Sequence, residues 1–255
     1  MASKEQSVTL LRRNKRAQVE ALNALGFSLT ESVRASEFPN YVKWAAGLLD
    51  VCVAANRKAD NKAFFFTADE WAMLSATEQA LFVIRGVRLR AEAQSFIIAA
   101  VAITSKTWGS SSSASNMTSF SNLPHKLNNY YDAQAENTAA LKYYNGITAN
   151  GVEGCPAFEA ARDYKAYLAA DGGVDDQTTW LLPTVAQGKF FYRYKTQINE
   201  VLKLIGSSDN ILNNAEHWTC CQWSSANAYC MNVGSGRFYD AAKTGAKYVR
   251  PIALE

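Results

Sequence analysis

The segment His217-Trp218-Thr219-Cys220-Cys221-Gln222-Trp223-Ser224-Ser225-Ala226-Asn227-Ala228-Tyr229-Cys230 holds two short aromatic-rich runs with the composition of strands. Gly234-Ser235-Gly236-Arg237-Phe238 follows as a tight-hairpin signal, and Lys247-Tyr248-Val249-Arg250-Pro251 closes the chain as a last strand. Strands, glycine turn and terminal strand together predict a compact β-rich cap. Its tip carries Trp, Tyr, Asn, Ser, Gln and Cys, with no paired acids and no histidine cluster. Aromatic rings and amides give contact area and adaptable hydrogen bonds at small entropic cost, which suits recognition better than bond-making. Alternation along 226–232 puts Asn227, Tyr229 and Met231 on one face and Ala228, Cys230 and Asn232 on the other, and either face can point outward. The candidate ligand-binding residues are Gln222, Trp223, Ser225, Asn227 and Tyr229, with Tyr239 beyond the glycine turn. Trp218 reads as core, whereas Trp223 fits core and contact surface equally well.

Upstream, local signals are plain. Thr184-Val185-Ala186-Gln187 has the form of a capping box, and Phe191, Tyr194, Ile198, Val201, Leu202 and Ile205 form one helical stripe before Gly206. Trp180-Leu181-Leu182-Pro183 reads as a short strand entering a turn. Ala157, Ala161, Tyr164 and Leu168 predict a helix over 156–170, stopped by Gly172-Gly173. Ser105 to Asn122 is a Ser/Asn/Gly-rich surface loop, with Trp108-Gly109 anchored in a core. Phe96 to Ile103 is a buried strand, and Val87-Arg88-Leu89-Arg90-Ala91-Glu92-Ala93 alternates as a half-exposed strand.

The first 66 residues read as helical without a clear strand. Tyr41, Ala45, Leu48, Leu49 and Cys52 fall on one helical face behind Pro39. Thr67-Ala68-Asp69-Glu70 and Ser75-Ala76-Thr77-Glu78 are two further capping boxes, and Gly86 is placed at the end of the second short helix. The switch from helical to alternating period at 86/87 sets the expected domain boundary. The expected fold class is α+β: a helical anchoring domain, 1–86, followed by a domain of helices packed on short antiparallel strands, 87–255.

The chain has 255 residues, 48% of them hydrophobic, enough for one large core or two modest ones. Its 26 basic and 23 acidic side chains leave a net charge of +3, too balanced for a general nucleic-acid binder. No apolar run reaches the length of a membrane span, and the N-terminus lacks the apolar core of a signal peptide, so synthesis and folding in a cytoplasm are expected. Arg12, Arg13, Lys15 and Arg16 form a basic run that reads first as a solvated helix face. The five cysteines are odd in number and contain no C-x-x-C, which speaks for buried hydrophobes over a disulfide framework. The two histidines, His125 and His217, have no partner at metal-ligand spacing, and neither G-x-S-x-G nor a phosphate loop occurs. No catalytic residue, metal or cofactor is expected.

The order Trp180-Leu181-Leu182-Pro183, His217-Trp218-Thr219 with Trp223-Ser224-Ser225 and Ala228-Tyr229, a glycine hairpin, then Tyr248-Val249-Arg250-Pro251 resembles the C-type-lectin-like domains at the C-terminus of phage, prophage and surface proteins of gut bacteria. The resemblance covers roughly 87–255, and Cys220-Cys221-Gln222 stands where Ser-Thr-Glu is usual. Phe66-Thr67-Ala68-Asp69-Glu70-Trp71 and Phe82-Val83-Ile84-Arg85-Gly86-Val87 look like the segment before such domains in virion proteins. The resemblance implies a ligand surface on the late strands, which in some relatives is varied by diversity-generating retroelements. It also implies a bacteriophage head fibre or capsid decoration, made in the host cytoplasm and located in the virion, with a tail-associated receptor-binding or adaptor protein as the alternative. The implied partners are the major capsid protein or other virion proteins, further copies of the chain, and a bacterial-surface or mucosal glycan. The calcium triplets of sugar-binding C-type lectins are absent. A related fold serves formylglycine-generating enzymes through a reactive cysteine pair, but no basic neighbour beside Cys220, Cys221 or Cys230 would lower a thiol pKa, and no enzymatic activity is expected.

Overall fold

The computed structural model describes residues 16–21, 23, 49–91, 94–109, 154–164, 178–207, 215–224 and 226–255. Its first strands are β1 (Leu49–Arg57) and β2 (Ala63–Phe66), joined by a turn in which Asn61 takes φ +56°. Two short helices follow, α1 (Ala68–Met73) and α2 (Ala76–Gln79). Thr67 and Glu70 close the first capping box and Ser75 and Glu78 the second, as their spacing predicts. The chain continues through β3 (Phe82–Ala91), β4 (Gln94–Ala99), β5 (Ile103–Thr107), α3 (Pro156–Arg162) and β6 (Trp180–Leu181). Helices α4 (Val185–Arg193) and α5 (Lys195–Leu204) precede β7 (Glu216–Gln222), β8 (Asn227–Asn232), β9 (Arg237–Ala242), β10 (Ala246–Val249) and β11 (Ile252–Leu254).

The strands form two sheets, of order β2-β1-β3-β4-β11-β6 and β5-β10-β7-β8-β9. In the first, strand register lines up Val53, Val87, Ile98, Ile252 and Leu181 across five strands on one face. That face, with Leu49, Val51, Leu89 and Phe96, receives Phe190, Phe191, Tyr194, Ile198, Val201 and Leu202 from α4 and α5. The other face is also covered, with Ala54, Ile97, Ala99, Trp180 and Ala253 in one cluster. The second sheet builds its own core from Trp108, Phe158, Leu182, Val185, Trp218, Cys230 and Val249. Trp108 is fully buried there, as expected, and its Nε1 donates to Thr219 O at 2.8 Å.

The α+β expectation is corrected: the fold is mostly β, and the described residues contain no helical anchoring domain. Residues 16–21 are helical, but Leu49 and Cys52, expected on a helical face, lie in β1. The physical cause is burial of β1 on both faces, which replaces alternation with a continuous apolar run that helical spacing fits by chance. Gly86 ends no helix; it sits inside β3, which runs straight through 86 and 87. The stripe before Gly206 is present as two helices, because Tyr194 at φ −113°, ψ 18° interrupts the turn between α4 and α5. The expected loop at Ser105 begins instead as β5; residues 110–122 lie outside the described residues, as do Leu168 and Gly172-Gly173.

The chain crosses between the sheets twice at one place. From β4 to β5 it passes through Ala100, and from β10 to β11 through Arg250-Pro251. Arg250 is fully buried, and its Nη1 donates to the carbonyls of Ala99 at 3.0 Å and Ala100 at 3.2 Å. Ala99 N donates in return to Pro251 O at 2.9 Å. Arg250 therefore ties the C-terminal strand down through backbone carbonyls, where its place before Pro251 suggested an ion pair.

Candidate functional site

The β7–β8 connection is a tight turn. Trp223 N and Ser224 N both donate to Asn227 O at 3.0 Å, and Ser224 Oγ accepts from Asn227 N at 3.0 Å. Held this way, Trp223 stands 49% exposed at the end of the sheet. Tyr229 meets it edge-on, with ring centroids 5.3 Å apart and planes at 70°. On the edge strand β9, Asp240 lies directly opposite Tyr229, and its Oδ2 accepts from Asn227 Nδ2 at 2.7 Å. Partial burial and then the Asp240 charge raise the Tyr229 phenol above its ordinary pKa, so it remains a neutral donor. The result is an exposed indole, a half-buried phenol and an amide–carboxylate pair side by side on one strand end.

The sidedness of β8, open in the sequence, is settled by burial. Ala228 and Cys230 are fully buried, while Asn227 and Tyr229 are half-buried. Met231 shares the Tyr229 face yet is fully buried, because α4 covers that end: a Cβ on Gly188 would meet Met231 Sδ at 2.4 Å.

The six sequence candidates divide. Trp223, Asn227 and Tyr229 come together. Gln222 is 5% exposed and points inward, its Oε1 accepting from Lys243 Nζ at 2.9 Å. Tyr239 pairs in register with Cys230 and so belongs to the opposite face, where Arg237 lies 5.3 Å from its ring centroid. Ser225 lies outside the described residues. Asp240 was missed, although the glycine turn carried the signal: counting back across a hairpin closed at Asn232 and Arg237 places 240 opposite 229.

Burial pushes the thiols of Cys52, Cys155 and Cys230 up to about 12, so they remain protonated rather than nucleophilic. His217 is 2% exposed against Tyr248, and burial, then the Arg250 charge, lower its pKa to about 3. Among the described residues no three His, Cys, Asp or Glu side chains gather as a metal site. A cleft of about 510 Å³ between β5 and α3 is lined by Lys106, Glu159, Asp163 and Tyr164, and Arg162 lies 2.7 Å from Asp163 and 3.9 Å from Glu159. No described helix is long and apolar enough to cross a membrane.

No protein-family model matches the chain, and no curated protein matches it. Among solved structures it is similar to a fimbrial protein from Bacteroides ovatus, at 14% identity and a TM-score of 0.45, over 80% of this chain and 43% of that one. The chain thus spans less than half the length of that protein. These findings overturn the resemblance to C-type-lectin-like domains of phage virion proteins. The head-fibre or decoration function, the tail-associated and formylglycine-generating alternatives and the virion location fall with it. The motifs that carried the resemblance do local work here. Leu182-Pro183 leads from β6 into the α4 cap, and Arg250-Pro251 moves the chain from one sheet to the other. Such short signals recur wherever a β fold needs the same turn, so their order alone does not define a family.

Proposed function

We propose that this chain is a non-catalytic recognition module whose β7–β9 end binds glycans. The observation that carries it is the half-exposed Trp223 set edge-on to Tyr229, beside the Asn227–Asp240 pair. A sugar ring offers apolar C–H faces, which stack on an indole, and hydroxyls, which need planar donors and acceptors beside it. Asn227 supplies both, Asp240 accepts, and the neutral phenol of Tyr229 does either. One small patch of this kind binds weakly, so several copies displayed together would supply the affinity through avidity.

Binding of the full chain to an array of bacterial-surface and mucosal oligosaccharides tests the proposal, followed by titration of any glycan captured. Trp223→Ala, Tyr229→Ala and Asp240→Asn are each expected to weaken binding by about tenfold or more, in keeping with the 1–2 kcal/mol or more that contact residues of this type contribute. Because Trp223 is half exposed, Trp223→Ala should leave the unfolding midpoint nearly unchanged. Binding that survives all three substitutions, or no glycan captured at all, would remove the assignment.

A further inference from the structure

Lys243, in the turn between β9 and β10, is fully buried. Its Nζ donates to Gln222 Oε1 at 2.9 Å and sits 4.7 Å from the ring centroid of Trp108. Gln222, at the end of β7, is 5% exposed, and its Nε2 has no hydrogen-bond partner among the described residues. An amine and a carboxamide are therefore held in contact, out of water, by three rigid anchors. Lys243 N donates to Ala226 O at 2.9 Å, Trp108 N donates to Lys243 O at 2.9 Å, and Gln222 pairs with Ala228 in the β7–β8 ladder. Fixing two reacting groups at such a distance replaces a bimolecular encounter by an intramolecular one and removes much of the entropic part of the barrier.

We infer that Lys243 and Gln222 join through an intramolecular isopeptide bond. The free amine of Lys243 attacks Gln222 Cδ and a new C–N bond forms. One amine proton passes to Nε2, the Cδ–Nε2 bond breaks, and ammonia leaves. The exchange consumes no oxidant, reductant or cofactor. The bond links the end of β7 to the turn after β9 and closes a covalent ring around residues 223–242, the whole hairpin that bears Trp223, Asn227, Tyr229 and Asp240. The inference stands on the buried pair and is independent of what the hairpin binds.

Desolvation lowers the Lys243 pKa to about 8, which makes the attacking free base accessible in mildly alkaline solution. The titratable group coupled to it is Cys155, at the start of α3, which burial holds protonated and which itself senses Glu159.

Intact-mass spectrometry of the full chain, incubated near pH 9 and then digested with trypsin, tests the inference. The expected result is a species lighter than the sequence mass by one ammonia. A branched peptide should join the Gln222 and Lys243 segments, with no cleavage after Lys243. The rate should fall about tenfold between about pH 9 and about pH 7 as the amine takes up its proton. Lys243→Met should retain its full sequence mass. A native chain that keeps its full mass, or that loses ammonia without the branched peptide, overturns the inference.

Discussion

A Cβ built on Gly86 would lie 2.0 Å from the carbonyl oxygen of Ile98 and 3.1 Å from Ala100 N. Gly86 has φ +153° and stands opposite Ala99 in β4 and Ala54 in β1, where the β1 register shifts. The absence of a side chain is what lets β3 pass β4 at this spacing beside the crossing into the second sheet.

Gly86→Ala therefore sets a methyl against backbone, where no rotamer change relieves it. The expected loss is about 3 kcal/mol or more, combining an unfavourable φ with overpacking. Urea unfolding measures it, and a loss under about 1 kcal/mol would mean that β3 and β4 are not paired in this register.

Trp108→Phe removes the Nε1 hydrogen bond to Thr219 O and part of the edge-to-face contact with Phe158, whose ring centroid is 4.9 Å away. Lost volume and a buried carbonyl deprived of its donor should together cost about 2–4 kcal/mol. The second sheet should feel it first, seen as faster amide exchange in β7 than in β1. Equal exchange in both strands would contradict two separate cores.

His217 is expected to make the fold sensitive to acid. Its folded pKa is depressed to about 3, against an ordinary value near 6.5 in the unfolded chain. Between those values the unfolded chain binds a proton that the folded one refuses. Stability should therefore fall as pH drops from about 6.5 toward about 3, by at most about 1.4 kcal/mol per pH unit from this group, with no contribution above that window. His217→Gln should flatten the curve, so unfolding free energies of the two proteins measured between about pH 4 and pH 6 must converge. Parallel curves would refute a buried neutral imidazole.

Arg250→Met strips two carbonyls, at Ala99 and Ala100, of their shared donor where the chain changes sheets. A destabilisation of about 2–4 kcal/mol is expected. The same substitution removes a positive charge that lowers the His217 pKa, so an NMR titration of the imidazole should move upward. An unmoved titration would separate the two residues electrostatically.

The three capping boxes, the strand at 87–91, the anchoring of Trp108, the apolar stripe of α4 and α5 and the hairpin around Gly236 were all legible in the amino-acid order. Apart from Trp108, whose anchors Thr219 and Phe158 are remote and whose apolar bulk alone marked it as core, each depends on groups within a few residues of one another, such as Thr184 and Gln187, or on the φ of a single glycine, so local chemistry suffices. The other outcomes rested on distant partners. Leu49–Arg57 became a strand because β3 supplied its hydrogen bonds and both faces were covered, which erased the alternation that marks a half-buried strand. Gly86 could be read as a helix stop until β4 was laid against it. Gln222 was turned inward by Lys243, Tyr239 fell on the face opposite Tyr229, and Asp240 joined the candidate site through cross-strand register. Periodicity shows that a face exists; only the packing of remote segments decides which face meets water, because burial is a property of the assembled layers and not of the strand that carries the side chains.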